Sequence, residues 1–161
     1  MTEKEFQQIC NGIILGINHK DEYVQLCKDS WDFDRCKGLR KAEAQEIKKA
    51  FGLDFKIAGT DKMFYKDYHF AELQLRFMIP YGHGMMDCSY RVFKGMTDHS
   101  IPSFSYREIV HSVTGEYDDP EYTFPMFTNA DEFQKLLTVI LSMNEEILRI
   151  IGVEMVKLKK E

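Results

Sequence analysis

Three side chains in this sequence have the chemistry for nucleophilic or acid–base work: His83, Cys88 and His111. A catalytic thiol needs a base within hydrogen-bond reach, a group to orient that base, and exposure to substrate. His83 or His111 could serve as base, across a turn or from a neighbouring strand, with Asp87 or Glu108 as orienter. Yet Cys88 shares the apolar side of an alternating stretch with Met86 and Tyr90, which is the setting of a packed, inert thiol. The sequence has no G-x-S-x-G elbow and neither phosphate-cradling glycine pattern. It also lacks C-x-x-C, H-x-x-x-H and H-E-x-x-H, so tetrahedral zinc would miss its close ligand pairs. Asp32 and Asp34 bracket Phe33 as a D-x-D, but a hard cation wants six or more oxygens. No metal, no cofactor and no catalytic constellation is expected, and the chain reads as a non-enzyme.

A different signal remains. Residues 29–34 set Trp31, the only tryptophan, and Phe33 among Asp29, Asp32 and Asp34. Residues 115–122 set Tyr117 and Tyr122 among Asp118, Asp119 and Glu121. Aromatic side chains anchor protein interfaces, and surrounding charges steer and select the partner. Trp31, Asp32, Asp34, Tyr117, Asp118, Asp119 and Tyr122 are therefore the candidate partner-binding residues. The competing reading is that the aromatics turn inward and cap the core.

These loops need elements to hold them. Thr2 and Glu5 form a capping box, and Phe6, Ile9, Cys10, Ile13 and Ile17 follow at helical spacing, predicting a helix over about 3–17. Residues 23–27 fit either a short strand or a helix tail, and 29–34 a loop. A second helix is expected over 39–51, with Leu39, Ala42, Ile47, Ala50 and Phe51 on one face and Gly52 as stop. From residue 70 the period changes. Leu73, Leu75, Phe77 and Ile79 alternate with Glu72, Gln74 and Arg76, then Met86, Cys88, Tyr90 and Val92 alternate with Asp87, Ser89 and Arg91. The turn chemistry at 80–84 lies between them, so an antiparallel hairpin with one apolar face is predicted. Its outer face could pair Glu72 or Asp87 with Arg76 or Arg91. Further strands are expected at 54–58, 62–66 and 104–114. Asn129 caps a long helix through Ile151, with Gly152 as its stop and a short strand over 153–158. The predicted fold is α+β over 1–161: an antiparallel sheet of four to five strands at about 54–114, covered on one face by N-terminal helices and a long C-terminal helix.

The totals agree with a packed domain. The chain has 161 residues, 44% of them hydrophobic and 29% charged, a composition unlike that of a disordered segment. Its net charge of −5 argues against an unaided nucleic-acid binder, and the basic run Lys37, Arg40, Lys41, Lys48 and Lys49 reads as a solvated face. The start lacks signal-peptide character, the apolar runs are too short to span a membrane, and four unevenly spaced cysteines suit reduced thiols, so a cytoplasmic location is expected. In general character (small, acidic, α+β) the chain resembles the immunity proteins that bacteria make against toxins, although no stretch matches a motif of theirs. That resemblance implies a non-catalytic inhibitor that occludes a basic cleft on another protein, as monomer or homodimer, without membrane or nucleic acid. The alternatives are a chaperone for a secreted effector, which needs an exposed apolar groove, and an enzyme with an uncommon His/Cys site.

Overall fold

The computed structural model describes residues 1–115 and 122–160. Three helices come first: α1 (Glu3–Gly16), α2 (Lys20–Ser30) and α3 (Lys41–Phe51). Five strands follow: β1 (Lys56–Ala58), β2 (Met63–Phe70), β3 (Leu73–Pro80), β4 (Ser89–Lys94) and β5 (Ser103–Ser105). Then come α4 (Arg107–Thr114) and the long α5 (Ala130–Leu158). The strands form one antiparallel sheet in sequence order, with the helices on one face, so the predicted α+β architecture holds. Among the described residues no helix is long and apolar enough to cross a membrane.

Periodicity explains most of this. Leu73, Leu75, Phe77 and Ile79 are all buried on β3, and β4 and β5 add Tyr90, Val92 and Phe104 to the same face. Phe77 stacks on Tyr90 with ring centroids 4.6 Å apart. Helix α5 lays Phe133, Leu137, Ile140, Ile147 and Ile151 into this core, and α1 adds Phe6, Ile9 and Ile13. The Thr2–Glu5 capping box forms as expected, and the Asn129 side chain accepts from the Glu132 N–H to start α5. Asn144 on α5 is buried with its needs met: it accepts from the Tyr90 hydroxyl, and its amide donates to the Tyr68 hydroxyl at 3.0 Å.

Several expectations are corrected. Residues 104–114 are not one strand. The strand ends at Ser105, and Ile109 and Val110, adjacent in sequence, are both buried on a helix closed by Gly115 at φ 69°. Gly152 does not stop α5, which runs on through 153–158 because Ile151 and Met155 still bury against the core. Of the two readings left open for residues 23–27, the structure has the helical one, with Tyr23 and Cys27 on α2. Ala44, not Ala42 or Ala50, is the buried alanine of α3. Strand β4 begins at Ser89; Met86 and Cys88 are buried as predicted, but in a connecting segment where Met85 bridges to Met126. The cross-strand pairs also differ: Arg76 binds Asp67, and Asp87 binds Arg107.

Candidate functional site

Three chain segments meet at one end of α2. Main-chain bonds lace them: Lys37 N–H donates to the Phe127 carbonyl at 3.0 Å, Phe127 N–H to Gly84 at 2.9 Å, Met86 N–H to Pro125 at 2.9 Å and Leu39 N–H to Tyr81 at 2.8 Å. The approach is too close for side chains. A Cβ on Gly38 would lie 1.9 Å from the Gly82 carbonyl oxygen, and one on Gly84, at φ 76°, would lie 2.4 Å from the Lys37 nitrogen. The loop from Trp31 to Arg40 and the segment after Tyr122 are therefore fastened to the sheet connection rather than hung from it.

Trp31 caps the C-terminus of α2, its N–H donating to the Lys28 carbonyl. Its ring meets Phe33 edge-on at 4.8 Å and Phe124 at 5.2 Å. The Arg107 guanidinium sits 4.9 Å over the Phe124 ring, and its Nε and Nη2 both donate to Asp87 Oδ2, at 3.0 and 2.6 Å. Phe124 is buried at 7% exposure, Trp31 is half-buried, and Phe33 stands out at 58%. Burial thus rises along a ridge from Phe33 through Trp31 to Phe124. Aromatic contacts of this kind add about 1 kcal/mol each beyond area burial.

Beside the ridge lies a hollow of about 310 Å³. Leu26, Met126, Phe127 and Leu136 are among its apolar lining, and Asp29, Asp32, Arg35, Glu132 and Lys135 supply its charges. The turn that carries Asp32 is set by its carbonyl, which accepts from Arg35 and Cys36 N–H. The Asp32 N–H donates to Met126 Sδ at 3.2 Å, and the Met126 N–H donates to Ser30 Oγ at 3.0 Å. This hollow is mixed in charge, with carboxylates slightly in excess.

Among the described residues, Trp31, Asp32, Asp34 and Tyr122 of the nominated set all lie at or just beyond the C-terminal part of α2. Trp31 joins the aromatic ridge, Asp32 lines the hollow, and Asp34 is exposed on the same turn. Tyr122 is half-buried with the Lys28 ammonium 4.9 Å over its ring. Tyr117, Asp118 and Asp119 lie outside the described residues. Sequence reading missed Phe124, Arg107 and Met126. The apolar run at residues 124–127 was its only local signal, and nothing in it pointed to Trp31.

The His/Cys alternative gathers less. Cys88 is fully buried, and burial, with Asp87 and Cys27 nearby, raises its thiol well above the ordinary range, so the thiolate is not formed at neutral pH. His83 is exposed on the turn before it, and His111 lies half-buried in the last turn of α4. Among the described residues no three His, Cys, Asp or Glu side chains gather closely enough to hold a metal ion. Compared with known proteins, the chain matches no family model, no curated protein and no solved structure.

Proposed function

We propose that this chain is a non-catalytic, protein-binding protein that works in the cytoplasm as an inhibitor of the immunity type. The Phe33–Trp31–Phe124 ridge docks at a functional cleft of another protein and shuts out its substrate. The observation that carries this reading is the exposed Phe33, held against the half-buried Trp31, which the buried Phe124 backs, by a loop that main-chain bonds fix in place. A rigid aromatic costs little entropy to bury, so such an anchor gives affinity. The mild acid excess, −5 over the chain, steers the approach to a basic cleft, while Asp32 and the adjacent hollow select what lies beside the anchor.

The test is a parallel capture. Immobilised wild type and a Trp31→Ala/Phe33→Ala double variant are exposed to extract of the native host, and any retained protein is assayed with and without the chain. The proposal expects a stoichiometric partner, held by wild type alone, whose activity falls on binding. A partner retained equally by both forms, or one whose activity is untouched, would refute it.

A further inference from the structure

The two edges of the sheet are finished differently. At β5 the outward N–H of Ser105 donates to Glu108 Oε1 at 3.2 Å, and Pro102 stands just before the strand. Those features close that edge to another strand. At the other side, β1 pairs only with Met63, Phe64 and Tyr65, while β2 runs on to Phe70. The Tyr81 N–H donates to the Lys62 carbonyl at 2.9 Å, in step with the β2–β3 register. Bonding positions in an antiparallel ladder recur at every second residue. Lys66 and Tyr68 thus turn their main-chain groups toward β3. Asp67 and His69 turn theirs outward, past the start of β1, where no strand among the described residues pairs with them.

We propose that this edge of β2 pairs with the same edge of a second copy of the chain, about a two-fold axis at Tyr68, joining two five-stranded sheets into one. Register selects this pairing. Asp67 against Asp67 would set like charges directly across and would need Tyr65, which β1 already occupies. His69 against His69 would need Ala71, which sits at φ 53° outside extended geometry. Asp67 against His69 uses both outward residues of both copies. It forms four main-chain hydrogen bonds and places an imidazole N–H against a carboxylate twice. Lys66, whose ammonium already lies 5.9 Å over Phe55 and 5.6 Å over Tyr68, then falls opposite Phe70 of the second copy, another ring for the same cation.

The test is sedimentation equilibrium of the full chain up to about 1 mM, where a weak dimer assembles. His69→Pro deletes an outward N–H at a position where an edge strand tolerates proline. It removes two of the four bonds and should weaken the dimer about 30-fold. Leu15→Ser, at an 82% exposed site on α1, should leave the dimer unchanged. In the wild type, amide exchange at Asp67 and His69 should slow as concentration rises, which decides the matter should the proline variant not fold. A monomer throughout, a dimer that survives His69→Pro, one broken by Leu15→Ser, or exchange at these two amides that ignores concentration would each overturn the proposal.

Discussion

Gly38→Ala tests whether the site is fastened as described. The new methyl carbon would lie 1.9 Å from the Gly82 oxygen and 2.1 Å from its carbon, and both are backbone atoms that no rotamer change can move. The cheapest response is for the loop to lift from the sheet connection. That breaks the Lys37–Phe127 and Leu39–Tyr81 main-chain bonds on either side of residue 38. At about 1 kcal/mol each, the loss is about 2 kcal/mol. For a chain of this size it should lower Tm by about 4–8 °C. Trp31, the only tryptophan, leads into the same loop, so its emission should shift to the red in the folded state. Gly52→Ala is the control. It has nothing within 4 Å of a Cβ but sits at φ 60°, so it should cost about 1 kcal/mol and leave Trp31 emission alone. Native stability and emission that are both unchanged in Gly38→Ala would refute the reasoning.

Two further perturbations separate charge from packing. Burial holds the Glu108 carboxyl above its ordinary 4.5, although the Ser105 N–H pulls the other way. A carboxyl raised in the folded state opposes folding once pH climbs through its unfolded value. Glu108→Gln, which keeps an acceptor for Ser105, should therefore be more stable than wild type at neutral pH and match it below about pH 4, as urea titrations would show. A variant less stable than wild type at neutral pH would contradict this. Burial pushes the Cys10 and Cys27 thiols up to about 12 and raises Cys88 well above the ordinary thiol range, whereas Cys36 is half-buried with its Sγ–H donating to the Phe33 carbonyl at 3.4 Å. A thiol-exchange reagent at mildly alkaline pH should label Cys36 first in the native protein and all four cysteines after unfolding. Native labelling of Cys88 as fast as Cys36 would show that the core is open.

Where one physical constraint dominated, the sequence was readable. Residues 73–79 bury every second side chain because one face of β3 meets the helices, and that pattern survives any error in the ends. The cap of α1 was legible because both partners lie three residues apart. Helix α4 was misread as strand although Tyr106, Ile109, Val110 and Val113 recur at helical spacing; its β-branched residues fit a strand equally well, and Glu108 satisfying the Ser105 N–H favours the helical turn. Gly152 carries no left-handed φ, so the stop read from it had no backbone basis. At the site, the loop character of Trp31 and Asp32 was visible. The contact of Trp31 with Phe124 was not, because it joins distant segments through the main-chain lacing at residues 37, 84 and 127.

The claim that the Trp31 ridge is where this protein meets its partner is tested most directly by quenching. Trp31 is the only indole, so acrylamide quenching of the free chain and of the chain with a saturating partner reads the exposure of that one ring. The account predicts a clear loss of quenching in the complex, and binding about 30-fold weaker for Phe33→Ala. Quenching unchanged at saturation, with Phe33→Ala binding as tightly as wild type, would place the contact elsewhere and contradict the account.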